Sequence, residues 1–104
     1  TRFETITTQG GGIYNDSATL ILTDSSVVSG NTSFDFGGGI FNIHNGTIIL
    51  DGSSSVTRNT AGDAGGGILN HFEGPGPINA CDTWTGAISP NTPDDPPLLT
   101  PTTC

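Results

Sequence analysis

Gly10-Gly11-Gly12-Ile13-Tyr14-Asn15 returns as Gly37-Gly38-Gly39-Ile40-Phe41-Asn42, and again as Gly65-Gly66-Gly67-Ile68-Leu69-Asn70. The two steps are 27 and 28 residues. A glycine run recurring at a fixed period of this size marks a chain laid down in repeated coils rather than around one central core. The register extends well past the glycines. Thr19-Leu20-Ile21-Leu22 matches Thr47-Ile48-Ile49-Leu50, and the stretch from Ser25 to Thr32 matches that from Ser53 to Thr60, both at a step of 28. A further Asn-Thr, Asn91-Thr92, follows Asn59 by 32 residues, so the last coil carries extra residues, in His71–Pro77 and around Cys81.

Comparing coils sorts the positions into inside and outside. Val28 is matched by Val56, whereas its neighbour Val27 is matched by Ser55, so Val28 and Val56 are expected to point inward. Ile13, Ile40 and Ile68 keep one aliphatic column, and by strand alternation Asn15, Asn42 and Asn70 share its face. Leu20 with Ile48, and Leu22 with Leu50, add two more inward columns. A side-chain amide both donates and accepts, so Asn residues one coil apart can form a hydrogen-bonded ladder. The glycines serve bends and close approach of neighbouring backbones. The same parity turns Tyr14, Phe41 and Leu69 outward, together with Ile21 and Ile49. Two exposed apolar columns on a small protein make a candidate contact surface, unless Phe72, Trp84, Leu98 and Leu99 fold over one of them.

Composition agrees with an all-β chain. Sixteen glycines, seven prolines, no Lys and only two Glu among 104 residues leave few helix formers, and no helical periodicity runs for three turns. The net charge of −8 argues against nucleic acid, polyanionic substrates and anionic membrane surfaces. No apolar run approaches the roughly 20 residues of a membrane span, so insertion by this segment is not expected. A start at Thr1 with no methionine reads as a processed chain or an excised segment.

Cys81 and Cys104 are the two cysteines. A bridge between them would staple the Pro-rich tail, residues 93–104, onto the coils of residues 1–92 and would imply an extracytoplasmic setting. Free thiols, or a Cys104 paired outside the chain, are the alternatives.

The pattern GGGI(Y/F)N, an apolar strand such as TLILTDSSVVSGNT and then the next GGG resembles the repeats of right-handed parallel β-helix proteins. These are the repeats of bacterial polymorphic outer-membrane proteins and related secreted or surface repeat proteins. The likeness is clear over residues 10–70 and loose over 1–92. It implies a right-handed parallel β-helix of about three coils, 27–28 residues each. It also implies a secreted or cell-surface setting and a spacer or adhesion role with cell-surface or carbohydrate ligands. Fold alone does not carry function, because the architecture also hosts lyases and hydrolases.

Signs of catalysis are few. Lyases of this architecture use Arg or Lys beside Asp-bound calcium, and here only Arg58 lies within the coils, at the place of Gly30. Hydrolases need two carboxylates held apart on a rigid frame. Asp94 and Asp95 are adjacent and flanked by prolines, in a tail not expected to hold them. Acids form no column, His44 and His71 lack a third ligand at fixed spacing, and no cofactor is implied. The expectation is a non-catalytic β-helix segment; the alternative is a fragment of a carbohydrate-active β-helix enzyme, a polysaccharide lyase or glycoside hydrolase, whose catalytic coils are absent from this chain. Thr1–Gln9 reads as a partial coil with Glu4-Thr5 at the place of Asn-Thr. Such a cut edge calls for a longer parent or end-to-end self-association.

Overall fold

The structure, a computed structural model, describes residues 2–3, 6–71 and 75–104. The readings placed on Glu4-Thr5 and on Phe72 lie outside the described residues. Among the described residues the chain is all-β, without a helix. Short β-branched and aliphatic segments separated by glycine and Asp/Ser turns favour strands of two to five residues.

Four parallel sheets result. The first takes β1 (Arg2–Phe3), β5 (Val27–Ser29) and β9 (Ser55–Thr57). The second takes β2 (Ile6–Gln9), β6 (Thr32–Phe36) and β10 (Thr60–Ala61). The third takes β3 (Ile13–Asp16), β7 (Ile40–Ile43) and β11 (Ile68–Asn70). The fourth takes β4 (Thr19–Leu22), β8 (Thr47–Leu50), β12 (Ile78–Cys81) and β13 (Thr100–Thr102). Except for β13, each strand pairs with the strand four places along the chain, an order compatible with a β-solenoid. Asn42 lies opposite Asn70, Ile48 opposite Ile78 and Ser55 opposite Ala87, so the step grows from 28 to 30 to 32 residues along the last repeat. The extra residues are thus absorbed in two loops without disturbing the pairing.

Each glycine of the recurring triplet has its own reason. Gly10, Gly37 and Gly65 hold φ between 63° and 66°, the left-handed region. A Cβ on Gly11 would collide with the Gly38 carbonyl, and one on Gly38 with the Gly66 carbonyl. At Gly12 and Gly39 a Cβ would come within 2.9 Å of the Asn31 and Asn59 amides. The triplet is therefore a bend, a close backbone stack and a slot for an amide.

Aliphatic columns fill the interior. Val28, Ile40, Ile48, Leu50 and Val56 are fully buried, and Ile68, Ile78 and Ile88 nearly so. The middle row is the best covered because it has a row on both sides, whereas Ile13 and Leu20 in the first row are only partly buried. Asn15 Nδ2 donates to Asn42 Oδ1 at 2.8 Å, and Asn42 Nδ2 to Asn70 Oδ1 at 3.0 Å. A second amide ladder, through Asn31, Asn59 and Asn91, runs beside the glycine triplets.

The C-terminal segment closes the far end, and the expectation that the tail cannot hold Asp94 and Asp95 needs correction. Gly65 N–H donates to both Asp95 oxygens at 3.1 Å, and Asp94 accepts from Ser89 Oγ at 3.0 Å. Trp84 Nε1 donates to the Ser54 carbonyl at 2.9 Å, and Ile88 joins the core. Pro101 sits in β13, an edge strand, where a missing N–H is tolerated. Cys81 and Cys104 form a disulfide with a Cα–Cα separation of 5.4 Å.

Candidate functional site

The outer face of the β3–β7–β11 sheet carries the most organised group of exposed side chains. With Ile13 and Asn15 turned to the interior, Tyr14 and Asp16 stand on the opposite face, two residues and so about 7 Å apart along β3. Tyr14 is 49% exposed and stacks on Phe41, with ring centroids 5.2 Å apart and planes at 19°. Phe41 in turn meets the His71 ring at 5.4 Å.

Phe41 therefore departs from its expected place on an exposed surface. It faces away from the core yet is fully buried, because Tyr14 and His71 cover it. Leu69 is half-buried as well. Of this column only Tyr14 offers an open ring face, and Phe41 is the base that orients it. The second expected column lies on a different sheet. Ile21 is 57% exposed and Ile49 only half-buried, so these residues do not join Tyr14 in one surface.

Beside Tyr14 stands a polar pair that sequence reasoning missed. Asp16 Oδ1 lies 2.7 Å from His44 Nδ1 and accepts from Ser17 Oγ at 2.8 Å. A tight turn delivers His44 to this place. His44 and Asn45 hold φ of 55° and 60°, and Gly46 N–H donates to the Ile43 carbonyl at 3.2 Å, the pattern of a type I′ turn. The sequence signal was Asn45, a residue type that tolerates the left-handed conformation required at the second central position of such a turn. The hydrogen bond with His44, and then that from Ser17, holds the Asp16 carboxyl below its usual value. Because folding depresses this pKa, the pair's stabilisation is in place above the unfolded value of 3.8 and is lost as pH falls through the folded one.

Two other exposed apolar side chains escaped the column argument. Phe34 is 66% exposed and has no counterpart, because Gly62 follows next in register. Leu98 is 91% exposed, while Trp84 and Leu99 pack against the core. Val28, Val56, Leu22, Leu50, Ile40, Ile48 and Ile68 belong to the interior and take no part in the face. Arg58 is exposed, in the left-handed conformation that Gly30 adopts one repeat earlier. His44 and His71 point to different partners, and among the described residues no group of three or more metal-ligating side chains comes together.

What the face offers chemically is one immobilised aromatic ring flanked by polar groups. Asp16 Oδ2 and His44 Nε2 remain available to accept or donate outward. Such a set can hold a ligand with one apolar face and hydroxyls at its rim. The chain matches no protein family, no curated protein and no solved structure with which it has been compared.

Proposed function

We propose that this chain is a β-solenoid, a right-handed parallel β-helix of about three coils, acting as a non-catalytic scaffold in a secreted or cell-surface protein. The resemblance of its repeats to those of bacterial polymorphic outer-membrane proteins points the same way. Support for the coil comes from the strand order, in which each of β1 to β8 pairs with the strand one repeat on. Right-handedness follows from the near-universal hand of parallel crossover connections. The Cys81–Cys104 disulfide supports an oxidising, extracytoplasmic setting.

The recognition surface in this reading is the outer face around Tyr14, and its ligand class is a saccharide. One observation carries it: a half-exposed tyrosine ring held flat by a buried phenylalanine, beside the Asp16–His44 pair. A pyranose would lay its C–H face on the ring and direct hydroxyls to Asp16 Oδ2 and His44 Nε2. The net charge of −8 favours neutral over acidic sugars. The alternative, a fragment of a carbohydrate-active β-helix enzyme whose catalytic coils are not in this chain, would not draw on Asp94 and Asp95, which are taken up in hydrogen bonds with Ser89, Asn91, Gly65 and Gly66.

Tyr14 is the chain's single tyrosine, so its ring resonances are an unambiguous NMR reporter. Titration with cello- and malto-oligosaccharides should shift them, and Tyr14→Ala should weaken binding by roughly tenfold, as expected for loss of about 1.4 kcal/mol of ring contact. Tyr14 resonances indifferent to every neutral oligosaccharide tried would remove the saccharide reading.

A further inference from the structure

The chain holds three Asn-X-Ser/Thr triplets: Asn15-Asp16-Ser17, Asn31-Thr32-Ser33 and Asn45-Gly46-Thr47. Such a triplet is the acceptor signature for an N-linked oligosaccharide, and it is usable only where the asparagine amide stands at the surface. In sequence the three are equivalent, and the fold makes them unlike. Asn15 is 6% exposed, and its Nδ2 donates to Asn42 Oδ1 at 2.8 Å and to the Ala18 carbonyl at 3.1 Å. Asn31 is fully buried, with its Nδ2 donating to Asn59 Oδ1 at 3.0 Å and to the Ser29 carbonyl at 3.3 Å. Neither amide has room beside it for one added carbon. A Cβ on Gly46 would lie 2.8 Å from Asn15 Nδ2, and one on Gly12 would lie 2.9 Å from Asn31 Nδ2.

Asn45 differs in each respect. It is exposed, at the second central position of the turn that joins β7 to β8, and its side-chain amide bonds to no described residue. Groups other than that amide fix the turn. Gly46 N–H donates to the Ile43 carbonyl at 3.2 Å, the Gly46 carbonyl accepts from Asn42 Nδ2 at 2.7 Å, and Thr47 N–H donates to the Ala18 carbonyl at 2.8 Å. A substituent on Asn45 Nδ2 thus displaces no hydrogen bond of the fold. The Cys81–Cys104 disulfide supports an oxidising compartment, the setting in which secreted chains receive such a substituent.

We propose that Asn45 is the acceptor of an N-linked oligosaccharide, and that Asn15 and Asn31 are not acceptors in the folded chain. The donor class is an oligosaccharide carried on a lipid diphosphate and used by a membrane-bound transferase. Asn45 Nδ2 attacks the anomeric carbon, and the N–C bond forms as that carbon's bond to the diphosphate oxygen breaks. The lipid diphosphate leaves with the electron pair, and one amide proton passes to a base on the transferase. No oxidant or reductant is required. The inference rests on the extracytoplasmic setting but not on a saccharide at Tyr14, so each can fail without the other.

Secretion of the chain from a eukaryotic cell line, with site-by-site mass spectrometry of the product, tests this. The expected result is one glycan, on Asn45, released by peptide N-glycosidase. Asn45→Gln and Thr47→Ala should each abolish it, whereas Thr47→Ser should keep it, because the signature needs a hydroxyl two residues on. Asn45→Gln should leave the circular dichroism spectrum unchanged, since no hydrogen bond is lost. Chain retained in the cells is mapped in the same way, so poor secretion does not leave the site unread. An unmodified Asn45 in the wild-type chain would overturn the inference. So would a glycan on Asn15 or Asn31 of chain that keeps the native spectrum, or one on Asn45 that survives Thr47→Ala.

Discussion

Asn59 lies at the centre of a column of three buried amides. Its Oδ1 accepts from the Asn31 backbone N–H and from Asn31 Nδ2, both at 3.0 Å. Its own N–H and Nδ2 donate to Asn91 Oδ1 at 3.0 and 3.1 Å, and Nδ2 also reaches the Val28 carbonyl at 2.9 Å. Each Asn thus replaces the backbone partner that the bend beside the glycine triplet removes. The column has a direction, since donors point toward Asn91, and Asn31 Oδ1 at its start is buried with no partner among the described residues. Asn59→Ala would strand the buried Asn31 backbone N–H, leave Asn31 Nδ2 with the Ser29 carbonyl alone and remove the donor to the Val28 carbonyl, at about 1–3 kcal/mol for each buried group left unpaired. Urea unfolding should therefore show a loss of about 3 kcal/mol. Asn59→Asp should not rescue it, because a carboxylate cannot donate to Asn91 Oδ1 and would bury a charge. A midpoint within experimental error of wild type for either variant would refute this account of the column.

At the scale of the element, β13 is the instructive strand. Its sequence, Thr100-Pro101-Thr102, has little intrinsic claim to a sheet, and its proline is admissible only because the strand lies at the edge. It is held by register against Asn79–Cys81, by Asp82 N–H on the Thr102 carbonyl at 2.8 Å, and by the disulfide. The bridge spans a sequence separation of 23 residues, for which chain entropy gives a stabilisation of roughly 3 kcal/mol. Reduction should lower stability by about that amount. It should also speed amide exchange at Asp82 and Thr102 while leaving the β7 amides unchanged. Uniform acceleration across the sheets would show instead that β13 and the middle repeat unfold as one unit.

The whole molecule is a stack of rows, and contacts run mainly between neighbours. The row containing Ile40, Ile48 and Val56 is fully buried, and the first row is not. Stability should then rise with the number of middle rows, as in other repeat proteins. A second copy of residues 37–64 inserted between Ala64 and Gly65 keeps the 28-residue step and adds a row with neighbours on both sides. The thermal midpoint should rise by about 5 °C or more, equivalent to about 1 kcal/mol in a domain of this size. A closed single-core fold would be disrupted by the same insertion, so a lower midpoint would contradict the stacked-row description.

The sequence by itself determined the period, the parity of the strands and the columns that face each other, because identical residues must stack when strands pair in register. Val28 over Val56 and Asn15 over Asn42 were legible in this way. The Asn31–Asn59–Asn91 column was equally visible as a repeated Asn-Thr, but its role depends on the slot left by Gly12 and Gly39, which only three dimensions reveal. Tertiary structure alone decided the exposure of the outer face. Strand parity says that Tyr14 and Phe41 point the same way, yet the first ends half-open and the second sealed, because burial depends on what lies above and below a row. The Asp16–His44 contact had the same origin. It joins residues 28 apart through two successive left-handed residues, and no periodicity in side-chain type encodes a backbone conformation.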